Sequence, residues 1–315
     1  VGILMGFTNW CYSLEDCFKS LHEIALYVEE DRKFRGKLER EKEEEKEALV
    51  LEKGHIPEIV FRDVTFRYEG AKEPVIKHLS LTMKPGENLA LVGLNGAGKT
   101  TFIKLLCGFY DPTEGEILVD GVNRSRYTKE SWIRCFSGVF QETGLFPLTL
   151  RENLMPEGKE DSRRVKECLE LADLKEKLEK LPEGLDTLFG AGVLEGAADF
   201  SGGEVQKLML ARALYKQAPF LVLDEPTAAL DPLAESELYE KYYRLSKEKT
   251  TVFISHRLAS TRFCDRILLL ENGKVTESGT HRELMEKQGS YAAMYRLQSK
   301  YYQQAEAGLE GDMEL

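Results

Sequence analysis

The chain lacks the Cys-x-x-Cys pairs that would announce a zinc site. Its six cysteines are scattered over 315 residues, so no disulfide framework is indicated either, and reduced thiols are the default. It also lacks a basic excess. There are 43 Lys and Arg against 54 Asp and Glu, a formal charge of −11, which argues against a nucleic-acid partner, since that partner needs a basic face. No secretory signal pattern is visible. The uncharged, largely apolar stretch Val1–Leu14 is shorter than the roughly twenty residues of a bilayer span.

What is present is a set of short motifs in a fixed order. GLNGAGKT at 93–100 fits the phosphate-cradling pattern G-x-x-x-x-G-K-[ST]. The apolar run NLALVG (88–93) before it reads as a buried strand, and TFIKLLCGFY (101–110) after it has helical spacing. Gly93, Gly96 and Gly98 let backbone N–H groups turn toward an anion at a helix N-terminus. Lys99 would reach the terminal phosphates, Thr100 would ligate magnesium, and Thr101 adds a further hydroxyl. The alternative is a Gly-rich turn with no ligand.

Phe220–Leu223 is a continuous apolar run, as expected of a central parallel strand buried on both faces. Asp224 and Glu225 stand at its C-terminal end, the edge where open α/β sheets hold ligands. Successive strand residues point to opposite sides, so Asp224 would hold magnesium while Glu225 faces the attacking water. A solvated acidic turn is the bland reading.

In SGGE (201–204), Ser201 and Glu204 form a capping box, and Val205, Leu208, Met209 and Ala213 make the apolar stripe of the helix it starts. Capping does not explain Gly202 and Gly203, which weaken a first helical turn. Close approach to another object would. The turn is thus a second candidate phosphate site, and one nucleotide clamped between two copies of the chain is the economical way to use both.

These motifs resemble the ATP-binding-cassette (ABC) ATPase family over about residues 56–296. SGGE looks like its signature, and LVLDEPTAALD (221–231) like its magnesium strand followed by its D-loop. The resemblance implies ATP and magnesium as ligands. It implies nucleotide contacts from Tyr68 (stacking on adenine), Gly93, Asn95, Gly96, Ala97, Gly98, Lys99, Thr100, Thr101, Ser201, Gly202, Gly203, Glu204 and Asp231, the last reaching the opposite subunit. Magnesium would be held by Thr100, Gln141 and Asp224. Glu225 would be the base, and His256 would hold the γ-phosphate and the water, aided by Lys99 and Gln141. On pattern alone Tyr68 also fits a core aromatic beside Phe66, Gln141 a polar loop residue, and His256 a structural histidine. The family usually has Gln where this chain has Glu204, and EGAADF (195–200) lacks the charged pattern many exporters show before the signature.

The expected fold is α/β: a P-loop NTPase core with an antiparallel β subdomain and an inserted helical lobe over 149–217 carrying the signature. Strands are expected near 58–68 and 75–83, a hairpin over 266–279 turning at Asn272-Gly273, a helix over 291–304, and a frayed end over 305–315. Residues 1–52 read as the end of a last transmembrane helix, its cytoplasmic extension and a charged linker; 56–296 as the ABC domain; and 297–315 as a helix end and tail. Because ABC exporters place membrane helices directly upstream in this order, and because the first residue is Val1, the expectation is an exporter's ATPase domain on the cytoplasmic side of a cell membrane. Its expected partners are a transmembrane domain and a second ABC ATPase domain, identical or not. A soluble non-transport ABC ATPase, an importer's ATPase subunit and a non-hydrolysing ATP-gated module are the alternatives.

Overall fold

The computed structural model describes residues 48–140, 145–155, 161–190, 197–198, 200–224, 249–255 and 258–311. Val1–Leu49 and Val50–Leu315 are two compact units, and all described residues except 48 and 49 belong to the second.

Among the described residues ten strands form two sheets: β1 (Ile59–Phe66), β2 (Ile76–Met83), β3 (Asn88–Val92), β4 (Glu114–Val119), β5 (Val122–Asn123), β6 (Phe136–Val139), β7 (Phe220–Asp224), β8 (Thr250–Ile254), β9 (Arg266–Glu271) and β10 (Lys274–Gly279). The smaller sheet is antiparallel, in the order β2-β1-β4-β5. The larger runs β10-β9-β3-β8-β7-β6, with parallel pairing throughout except for the β9–β10 hairpin. Every residue of β3, β7 and β8 is buried, which is why these segments are continuous runs rather than alternating ones. The hairpin turns where expected, with Asn272 and Gly273 at φ 51° and 78°.

Two apolar cores result among the described residues. One fills the space between the sheets around the helix Lys99–Leu106, where Phe61 and Phe102 stack at 5.1 Å. The other joins the opposite face of the larger sheet to the helical lobe and the C-terminal helices, through Leu150, Val165, Leu208, Leu223 and Tyr291. Each such fully buried side chain contributes about 1.5–3 kcal/mol. The lobe, inserted between β6 and β7, contains the helices Leu150–Leu154, Ser162–Leu171, Lys175–Glu179 and Gly202–Tyr215. The last helix of the chain runs from Ser290 to Gly311, past the point at which a frayed end was expected. Ala305, Glu306, Ala307 and Leu309 are good helix formers, and Gly308 weakens that turn without ending it.

Among the described residues no helix is long and apolar enough to cross a membrane, and no His, Cys, Asp and Glu cluster has the make-up of a metal site.

Candidate functional site

The loop between β3 and the helix Lys99–Leu106 is shaped by contact on its inner side. Gly93 and Gly98 have φ of +153° and +107°; a Cβ on Gly93 would fall 2.3 Å from the Leu270 carbonyl oxygen, and one on Gly98 2.9 Å from the Ile76 side chain. Only glycine lets the loop sit this close to β9 and the start of β2. On the outer side Leu94, Asn95, Gly96 and Thr100 are exposed, while Ala97 is buried. Gly98 caps the helix without any side-chain hydrogen bond, and the first turn stands at the positive end of the helix dipole. The buried Lys99 ammonium lies across the same loop, donating to Gly93 O at 2.9 Å and Leu94 O at 3.1 Å.

Behind the loop, the hydroxyls of Tyr68 and buried Thr101 are 3.1 Å apart. The half-buried Tyr68 ring meets Phe66 and Tyr110 edge-on, with centroids at 4.9 and 5.4 Å. Tyr68 is thus part of an aromatic cluster at the end of β1, and Tyr110 is a member that spacing did not suggest.

Asp224 is buried at the end of β7, opposite Ile254. In the sheet order only β8 separates β7 from β3, so the two strand ends stand about 10 Å apart at the carboxyl edge. A pocket of about 440 Å³ opens along this edge, lined by Gly93, Leu94, Asn95, Ser255, Leu258, Met294 and Gln298. Gln298 accepts a hydrogen bond from Leu258 N at 2.9 Å. The contribution of Met294 and Gln298 has no sequence signal, since nothing local marks a helix some two hundred residues downstream as the wall of this pocket.

The signature turn forms the expected capping box. Ser201 Oγ accepts from Glu204 N at 3.3 Å, and Glu204 Oε2 accepts from Ser201 N at 2.8 Å. Ser201 and Gly202 are exposed, and a Cβ on Gly202 would meet nothing within 4 Å. Glu204, beside Gly203, is turned back onto its own helix, and its Oε1 pairs with Lys177 Nζ at 3.0 Å. The Ser201 backbone N–H, followed by Lys177, holds the Glu204 carboxyl below the usual glutamate range. The apolar stripe is wider than its spacing suggested, with Leu210, Ala211 and Leu214 buried beside Leu208, Met209 and Ala213, while Val205 is only half-buried.

Gln141, Glu225, Asp231 and His256 lie outside the described residues. The donors that are described fit a nucleoside triphosphate. They comprise a glycine cradle closed on its protein side and open on the other, a lysine over it, an exposed hydroxyl at the helix end, and a buried carboxylate two strands away.

This arrangement defines a P-loop nucleotide-binding domain. The ABC transporter family matches residues 76–228, and the chain belongs to that family. It is 43% identical over 248 residues to an ATP-dependent lipid A-core flippase of Burkholderia orbicola, matching 79% of this chain and 41% of the relative. It is 34% identical over 289 residues to the subtilin transport ATP-binding protein SpaT of Bacillus subtilis, matching 91% of this chain and 46% of the relative. A bacterial Atm1-family ABC exporter solved with ATP bound superposes with a TM-score of 0.71 at 34% identity, covering 80% of this chain and 43% of that one. The chain therefore spans less than half the length of the relatives it matches.

Proposed function

We propose that this chain is the ATP-hydrolysing part of an ABC exporter, in which Mg·ATP closes two ATPase domains head to tail and hydrolysis lets them reopen. The observation that carries the reading is the glycine cradle under Lys99 at the end of β3, with Asp224 buried at the neighbouring edge of the same sheet.

In this reading Gly93–Thr101 and Lys99 bind the phosphates from one subunit, Tyr68 stacks on adenine, and the Ser201–Glu204 turn of the other subunit covers the γ-phosphate with Asp231 alongside. Thr100, Gln141 and Asp224 would hold magnesium, which supplies charge neutralisation on the phosphate oxygens. Glu225 follows Asp224 directly, and as the next carboxylate in the chain it would accept the proton of the attacking water. His256 orients that water and the γ-phosphate. Positioning and charge stabilisation dominate the barrier lowering in such transfers.

The partner that would receive this motion is a transmembrane domain, placing the ATPase on the cytoplasmic side. Support comes from a small apolar surface in the lobe close to Gln141 in sequence. Phe146, Leu148 and Leu188 are exposed there, and the buried Asn153 side chain grips Phe146 through both N and O at 2.9 Å.

Phosphate release by the wild type and by Glu225→Gln tests the assignment. Loss of a general base lowers turnover by roughly 10²–10⁴, while ATP binding should survive. Equal rates would remove Glu225 from its role.

A further inference from the structure

Glu204 places a carboxylate in the first turn of a helix whose N-terminus would meet a triphosphate. A helix N-terminus offers about half a positive charge, which one ionised carboxylate more than cancels. Left alone, the turn would present net negative charge to an anion. The bond from Ser201 N to Glu204 Oε2 at 2.8 Å holds the carboxylate at the turn, while Glu204 N to Ser201 Oγ at 3.3 Å completes the cap from the serine side.

Lys177 resolves the conflict. Its ammonium is 3.0 Å from Glu204 Oε1 and 5.3 Å from the centre of the Phe200 ring, which precedes the turn. Two independent attractions, ionic and cation–π, hold it there, and its side chain is only 35% exposed. The neighbouring lobe lysines have other carboxylates: Lys175 pairs with Glu170 and Lys207 with Asp173. Among these three, only Lys177 is engaged with the signature turn.

We propose that Lys177 is the positioning residue that lets a glutamate occupy the signature turn, cancelling its charge on the face offered to the partner's triphosphate and thereby setting the ATP concentration needed for closure. This rests on the shared-nucleotide reading above. It goes beyond that reading by assigning a role to a residue outside every motif.

The test is a double-mutant cycle on ATP turnover by the 315-residue chain, with Lys177→Met measured in the wild-type and Glu204→Gln backgrounds. Methionine keeps the stem over Phe200 and removes the charge. In the wild-type background KM for ATP should rise about threefold to tenfold with a smaller change in kcat, whereas in the Glu204→Gln background the rise should stay below about twofold. Added salt should shrink the wild-type-background deficit, because exposed charges are screened beyond about 10 Å at 0.1 M. Lys177→Arg should keep KM within about twofold of the wild type, since it retains the charge. An equal rise in both backgrounds would make Lys177 a packing residue and overturn the proposal. So would an unchanged KM, or an arginine variant as impaired as the methionine one. Failure of the unmodified chain to turn over ATP would instead defeat the functional reading, which is a separate outcome.

Discussion

The Tyr68 hydroxyl stands 3.1 Å from Thr101 Oγ1, tying the aromatic end of β1 to the first turn of the phosphate-loop helix. The ring that would receive adenine and the helix that would receive the phosphates are therefore held in register by one contact across the two sheets.

That contact separates two contributions of Tyr68. Tyr68→Ala removes the ring, and a stacking surface is worth about 1–3 kcal/mol per base, so the ATP dissociation constant should rise about tenfold or more. Tyr68→Phe keeps the ring against Phe66 and Tyr110 and loses only the hydroxyl bridge, a change of about 0.5–1.5 kcal/mol, so the rise should be severalfold at most. Titration with a fluorescent ATP analogue measures both. Equal losses in the two variants would mean that the hydroxyl bridge, rather than the ring face, carries the effect.

Much of the site was legible because its motifs are local. A strand, a glycine loop and a helix follow one another between Asn88 and Leu106, so the cradle around Gly93 and Lys99 could be read without knowing the fold. The same is true of the Ser201–Glu204 box and the Asn272–Gly273 turn. Lys177 was not legible. It sits in KEKLEK (175–180), where every cation looks solvated, and only the packing of the lobe brings it to Glu204. Gln298 and Met294 were hidden for the same reason. Tyr68 could be read as an adenine platform or as a core aromatic, and its half-buried ring beside Phe66 has the geometry of both.

Acid sensitivity should concentrate at helix starts. Three carboxylates, Glu152, Glu204 and Glu283, each accept from the N-cap backbone of their own helix. All three titrate below the ordinary 4.5: Glu152 chiefly through the Thr149 hydroxyl, and Glu204 and Glu283 chiefly through the backbone N–H of Ser201 and Thr280. A carboxylate depressed in the folded state binds its proton more weakly than in the unfolded chain. Its stabilisation is therefore complete above about pH 4.5 and is lost as the pH falls through the lower folded value. The Tm gap between wild type and Glu283→Ala, followed from roughly pH 7 downward, should stay constant to about pH 4.5 and then narrow. A gap that widened on acidification would contradict the assignment.

The far end of the phosphate-loop helix depends on one buried cation. Arg124, 7% exposed, donates to Leu105 O at 2.5 Å and Tyr110 O at 3.2 Å and pairs with Asp111, whose side chain is 76% exposed. Trp132 Nε1 takes the next helix carbonyl, Leu106 O, at 3.1 Å. Leu105 O and Leu106 O belong to the last turn of the helix, where carbonyls run out of i+4 partners, and Leu105 O also accepts from Gly108 N at 3.1 Å. Arg124→Leu removes one of the donors to Leu105 O, which keeps Gly108 N, and the side-chain donor to the part-buried Tyr110 O, so the loss of unfolding free energy should be about 1–3 kcal/mol. Asp111→Asn leaves the carbonyl contacts in place and loses only a largely solvated charge, so about 1 kcal/mol or less is expected. Urea unfolding of the two variants gives the comparison. If the aspartate variant lost as much as the arginine variant, the ion pair rather than the carbonyl contacts would be holding this end of the helix.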